Sequence, residues 1–307
     1  MESPRLPRFK RTSEAAPIVL TDRDREIIRE VHRHRFLRSS HILALVPGSD
    51  QQCLRRLKLL YHHRYLERPR AQLEYFHRGG SREIVYGLDD EGAALLKTEP
   101  DDASEEIHLG GNNGSIKRTF LEHALLVSDV IVAIELACRK AGIRFVSEDE
   151  LAAEIQHARK RDLFEWRVNI SGGVKLTVAP DYVFALESIR SDGNKERRYF
   201  FLEADRGTMP VIRKSLLQTS FHRKLLAYEA TWSQKIHEKR LGFSRFRVVT
   251  VTTSATRVKS LLNACAKLEN GHRLFLFADQ TILQKPVEIL FAPWQIGKSG
   301  EIGTLSD

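Results

Sequence analysis

Tyr199 to Leu202 is a continuous apolar run of the kind a central strand shows, and it ends abruptly in Glu203 and Asp205. The i,i+2 spacing puts both carboxylates on one face of that strand. A second β-like run, 174–186, carries Asp181 directly after Pro180, so a third carboxylate can join from a neighbouring strand. Three carboxylates converging at strand ends make a hard-oxygen site, suited to Mg²⁺ or Mn²⁺ rather than to a soft metal. An ion held there could act as a Lewis acid on a bound oxygen. The competing reading is an ion network at a sheet edge, in which Glu203 and Asp205 pair with Arg206, Arg213 or Lys224.

A second set of residues, in the first hundred, offers binding rather than catalysis. Ser49 or Asp50 can cap a helix in which Cys53, Leu54, Leu57, Leu60 and Tyr61 form the buried stripe, while Arg55, Arg56, Lys58 and Arg64 lie off it. Two expected strands follow, Leu73–Phe76 and Glu83–Leu88, joined by a glycine-centred basic tip that carries Arg78 and Arg82. A cationic helix can enter the major groove while a basic hairpin reaches neighbouring phosphates, so double-stranded DNA is the expected partner and affinity should fall steeply with salt. The alternative is a set of solvated faces used for dimerisation or protein contact. His62 and His63 lack a third ligand at metal spacing and read as ordinary helix-end residues.

The elements that must position these cations are legible around them. Thr21 caps a first helix with Ile27, Ile28 and Val31 on its apolar face, and Ser39 opens a short second helix that stops at Pro47-Gly48. Asp89 or Asp90 begins a closing helix. Three helices, a β-wing and a closing helix resemble the winged helix-turn-helix DNA-binding domain over about residues 20–98.

A linker is expected over 99–115, where acids, Gly and Asn occur without periodicity. Residues 1–19 read as a flexible basic arm and 297–307 as a flexible tail. Between them, 116–296 alternates helical and strand-like segments: a long apolar-rich helix at 116–141, strands near 143–146, 174–186, 198–208, 246–252, 274–278 and 288–292, and a helix over 216–239. The expected fold is therefore mixed α/β, a winged helix followed by a mixed sheet flanked by helices. Glu122, His123 and Asp129 are the unusual polar members of the long helix.

Composition bounds the function classes. Forty-nine Lys and Arg against forty Asp and Glu give a formal charge of +9 and a polyanionic partner is the first to consider. Cys53, Cys138 and Cys265 are too few and too far apart for a disulfide framework or a zinc ribbon, which fits a reducing compartment. The opening residues lack the apolar core of a secretory signal, and the longest apolar stretch, 124–137, is interrupted by Ser128, Asp129 and Glu135. A cytoplasmic protein with no membrane partner is expected. No phosphate-binding P-loop pattern and no paired-histidine zinc motif occurs, which argues against ATP-driven and zinc-hydrolase roles. No heptad pattern marks an interface, although many winged helices pair and a homodimer fits.

Taken together, Glu122-His123, Asp129, Pro180-Asp181, the run Glu203-Ala204-Asp205-Arg206-Gly207-Thr208, and Lys224 with Tyr228 resemble the plasmid replication-relaxation family, whose members include mobilization relaxases. The resemblance covers roughly 20–235. It implies a winged helix for DNA docking joined to a restriction-endonuclease-like domain, in which Asp181 and Glu203 on adjacent strands hold a divalent metal, with Glu122 a further candidate ligand. Other replication or mobilization proteins are the implied partners. Nucleases of this kind usually place Lys two residues after the Glu, whereas this chain has Asp205. Lys224 is the best replacement, Lys214 the next, and Arg206 could stabilise a phosphate. Either these replacements serve a metal-dependent nickase, or the chain is a non-catalytic replication initiator or regulator. Resealing would need a covalent link through Tyr182, Tyr199 or Tyr228, and no spacing selects one.

Overall fold

The computed structural model describes residues 8–12, 15–75, 83–98, 116–155, 163–189, 193–298 and 300–306. The chain divides into two compact units, residues 1–129 and 130–307, and the division falls within a long helix rather than in the expected linker, which lies outside the described residues.

In the first unit Thr21 caps α1 (Asp22–His34) through a reciprocal box. Its hydroxyl accepts from the Asp24 N–H, and the Asp24 carboxylate accepts from the Thr21 N–H at 2.7 Å. The periodic Ile27, Ile28 and Val31 are fully buried. β1 (Phe36–Arg38), α2 (Ser39–Leu45), α3 (Asp50–His62), β2 (Leu66–Glu67), β3 (Val85–Leu88) and α4 (Asp90–Thr98) follow. The strands form one antiparallel sheet in the order β1-β3-β2.

The expected strand at Leu73 is absent: Arg70–Tyr75 is a 3₁₀ turn, and β2 replaces it as the partner of β3. Gln72 accounts for the exchange. Its side-chain amide donates to Val85 O at 3.0 Å and accepts from Val85 N at 2.9 Å, satisfying the backbone groups a strand would have paired. The tip with Arg78 and Arg82 lies outside the described residues. Gly92 sits where α4 crosses the end of α3's connection; a Cβ there would meet Tyr65 O at 2.3 Å, so no other residue fits.

The arm is not loose throughout. Arg11 donates to Tyr61 O, to Glu67 and to Asp89, and its guanidinium lies over the Tyr61 ring. At the other end of the unit, the helix α5 (Arg118–Ala141) contributes Leu121 and Leu125 to a cluster with Phe36 and Val85. Ser128 Oγ donates to Phe36 O at 2.8 Å, and Asp129 accepts from Arg38 Nε at 2.9 Å with His41 Nε2 at 3.1 Å. Asp129 thus fastens α5 to the start of α2.

The second unit is built on a seven-stranded mixed sheet, which makes the chain mixed α/β as expected. After α5 come β4 (Arg144–Val146), α6 (Glu148–Glu154), β5 (Trp166–Asn169), β6 (Lys175–Val178), β7 (Tyr182–Ile189), β8 (Lys195–Ala204), α7 (Phe221–Ser233), α8 (Ile236–Leu241), β9 (Phe246–Thr252), α9 (Ala255–Cys265), β10 (Phe275–Asp279), β11 (Trp294–Ile296) and β12 (Ile302–Gly303). Sheet order is β12-β11-β10-β9-β8-β7-β4, with β8, β9 and β10 parallel and the flanking strands antiparallel. β5 and β6 form a separate hairpin.

Several boundaries differ from expectation for local reasons. The run 174–186 breaks at Ala179-Pro180-Asp181 into strands of two sheets, since proline cannot donate to a ladder. The helix expected from 216 starts at Phe221, where Ser220 accepts from Arg223 N, and ends before Lys235, whose φ is 54°. The 288–292 segment is not a strand; Pro286–Glu288 forms a 3₁₀ turn, and Trp294–Ile296 pairs instead. The expected tail supplies the edge strand β12, and Leu305 is fully buried.

One face of the sheet, with Val183, Phe201, Val248, Phe275 and Phe277, packs against Leu225 and Tyr228 of α7 and Leu261 of α9 in a single apolar cluster. That face carries Glu203 at its polar end. All three cysteines are buried and free, and among the described residues no helix is long and apolar enough to cross a membrane.

Candidate functional site

Alternation along β8 sends Phe201 and Glu203 to the same face, so the apolar strand delivers a carboxylate into the roof made by α7. Glu203 is 2% exposed. Lys224 donates to its Oε2, and the Tyr228 phenol donates to Oε1 at 2.6 Å. Lys224 and Tyr228 are one helical turn apart on α7, the i,i+4 spacing that places both on one helix face.

Asp181 meets Glu203 from β7. Its N–H bonds Leu202 O at 2.9 Å, which extends the β7–β8 ladder by one residue, and its Oδ2 accepts from Ala204 N at 2.8 Å. The two carboxylates therefore bracket the end of β8. Burial pushes the Glu203 carboxyl above its ordinary value, against the pull of Lys224, and the Asp181 charge pushes the same way as burial. Burial favours a neutral Lys224, but Glu203 and Asp181 outweigh it and hold the ammonium protonated, above the usual lysine value. Burial thus opposes the charge on both groups, and each draws the other toward its charged form.

Asp205 takes another part. Arg257, in the first turn of α9, grips it with Nε on Oδ2 at 2.8 Å and Nη2 on Oδ1 at 3.1 Å, and Thr252 Oγ1 donates to Oδ2 at 2.7 Å. Arg257 also donates to Met209 O at 2.6 Å, tying the loop after β8 to α9. The expected three-carboxylate centre thus reduces to a pair, Asp181 and Glu203, with Asp205 in a neighbouring ion pair. Glu122 belongs to the first unit, where Arg118 holds it at 2.8 Å. Lys214 is exposed in the loop before α7.

Of the three tyrosines considered for a covalent link, Tyr228 is 1% exposed and committed to Glu203, Tyr182 is buried, and Tyr199 stacks on Phe243 with centroids 3.8 Å apart. Tyr228 and Tyr182 thus lie in the interior, whereas Tyr199 is half-buried. Sequence reasoning did not find Arg257 or Thr252, because nothing in a capping serine followed by arginine marks a partner fifty residues away. The Tyr228 contact was legible in principle from its spacing to Lys224.

On α3 the predicted cations separate into two groups. Arg55 is exposed and Lys58 half-buried, and neither makes an ion pair among the described residues. Arg56 instead reaches back to the fully buried Asp24, with Nε on Oδ1 at 2.8 Å, and to Val19 O. Burial works against the Asp24 charge, but Arg56 and Thr21 hold its pKa below the ordinary value. Arg64, expected on this helix, lies beyond its end at His62, with φ 63°, and pairs with Asp90.

With this geometry in hand, comparison with known families is decisive: the replication-relaxation family profile matches residues 28–245, most of the chain. The chain belongs to the replication-relaxation family. The matched span runs from α1 through α7 and α8 and so includes α3, Asp181, Glu203 and Lys224. No curated protein and no solved structure matches the chain.

Proposed function

We propose that this replication-relaxation protein docks on double-stranded DNA through a winged helix in its first unit and nicks a phosphodiester with Asp181, Glu203 and Lys224 of its second. The observation that carries the reading is the contact of Lys224 with Glu203 beside Asp181. Lys224, arriving from the following helix, is the lysine that would serve in place of the one the Glu-x-Lys pattern puts where this chain has Asp205.

The pair fits a small hard cation. Mg²⁺ is commonly held by one or two carboxylates together with substrate phosphate and water, and Asp181 and Glu203 offer that number of ligands on adjacent strands. Mg²⁺ or Mn²⁺ bound by them would polarise a phosphoryl oxygen and lower the pKa of an attacking water. Lys224 remains protonated and stabilises charge building on the phosphate, and Tyr228 keeps the Glu203 carboxylate from turning away. Strand scission is the predicted outcome.

Arg55 and Lys58 of α3 supply the cations for DNA, while Arg56 holds the buried Asp24. A second reading, a non-catalytic initiator or regulator, draws on the fact that both Glu203 oxygens already have donors. Labelled DNA incubated with Mg²⁺ or Mn²⁺ separates the two. Cleavage by the wild type that disappears in Asp181→Ala, with salt-sensitive binding retained, supports the nickase; binding without cleavage supports the second reading.

A further inference from the structure

A groove of about 1040 Å³ in the second unit is lined by the end of β10, by α9, by the last turn of α5 and by the segment 281–295, and none of the residues above accounts for it. Its floor includes the buried Phe277, and Phe291 stands in its wall with 58% of its surface exposed. Lys140, Lys259 and Lys285 line it, all exposed. Two acids share the lining. Glu288 lies 3.5 Å from Lys285, and Asp279 is occupied in capping Thr281. Among the described residues, Lys140 and Lys259 have no acidic partner.

The groove begins one strand away from the residues that hold Asp205. Thr252, which donates to Asp205, is the register partner of Asp279 on the next strand, and Asp279 lines the groove. Arg257, which grips Asp205, lies on α9 between Ala255 and Val258, both groove residues. A volume at or above the ~300–1,000 Å³ of small-ligand sites suits a short run of polymer. Unpartnered lysines beside an exposed aromatic ring are what a single strand of nucleic acid needs, phosphates meeting the ammonium groups while a base stacks on the ring.

We propose that this groove binds single-stranded DNA, holding the nucleotides adjacent to a phosphodiester placed at Glu203. The inference rests on the nuclease reading for that placement, but not for the binding itself. The test uses the full chain in EDTA with a fluorescein-labelled twenty-nucleotide oligothymidine, followed by anisotropy across a salt series, beside a duplex control.

The expected result is salt-sensitive binding that weakens about tenfold in Phe291→Ala and is kept in Phe291→Trp, since stacking tolerates any aromatic ring. Lys140→Ala with Lys259→Ala should weaken binding and lower the salt slope by about 1.4, the share of two phosphate contacts on a single strand. Duplex binding should stay unchanged in all three. No binding by the wild type, equal binding by wild type and variants, or an equal loss on duplex would each overturn the proposal. Reading cleavage separately keeps the two claims apart: oligonucleotide binding in EDTA that falls in Phe291→Ala supports the groove even if the wild type never cleaves.

Discussion

Tyr228 donates to Oε1 of Glu203 at 2.6 Å from a position that is itself only 1% exposed, so the carboxylate is fixed by a donor that solvent cannot replace. Lys224 takes the other oxygen from a site about one-third exposed. One partner therefore belongs to the core and the other to the approach from solvent. This asymmetry makes Tyr228 a positioning residue and leaves Lys224 able to meet a phosphate.

Tyr228→Phe removes a hydrogen bond to a buried carboxylate and should cost about 1–2 kcal/mol of stability. Lys224→Ala leaves the same carboxylate without its cation and should cost about 2 kcal/mol, below the ~3–5 of a fully buried pair because Lys224 is partly solvated. Adding Glu203→Gln to Lys224→Ala should recover part of that loss. Urea unfolding of the three variants checks the order.

Metal binding should depend on pH through Glu203. Its carboxyl is raised above the ordinary value of about 4.3, and the ion binds the carboxylate, so Mn²⁺ affinity should climb with pH past that ordinary value and level off once Glu203 is ionised. Calorimetric titration at several pH values reads the curve. In Glu203→Gln both the affinity and its pH dependence should fall away.

Arg55 and Arg56 are adjacent in sequence, yet they should behave oppositely. Arg55→Ala should weaken duplex binding about tenfold at low salt with little change in stability. Arg56→Ala strands the buried Asp24 and should cost about 3 kcal/mol. The Asp24 carboxyl has a folded pKa below its unfolded one, so its contribution is present above the unfolded value near ~4 and is lost as pH falls through the folded value. Acid unfolding of the wild type should show that loss, and Arg56→Ala should blunt it.

Gly92→Ala places a methyl carbon 2.3 Å from Tyr65 O, a backbone atom that cannot rotate aside. A loss of about 2 kcal/mol or more is expected, by overpacking. Thermal unfolding is sufficient to detect it.

These contrasts show where sequence was informative. Capping signals at Thr21 and Ser49, apolar periodicity in α1 and α3, and the abrupt end of β8 in Glu203 are local patterns, and each has its structural counterpart. Pairings between distant residues left no such trace. Arg56 reads as an outward cation because helical periodicity reports only the direction of a side chain, not the buried Asp24 that waits thirty-two residues earlier. Asp205 likewise reads as a third ligand until Arg257 claims it. Gln72 supplied backbone partners from a side chain, which strand propensity cannot anticipate.

The most direct measurement is the conversion of supercoiled plasmid, carrying the DNA around this protein's own coding sequence, to open circle with Mg²⁺ or Mn²⁺. The account predicts metal-dependent nicking by the wild type and none by Glu203→Ala, with both proteins still binding the plasmid. Nicking of equal rate by Glu203→Ala, or no nicking by a wild type that binds both metal-free and metal-loaded, would contradict it.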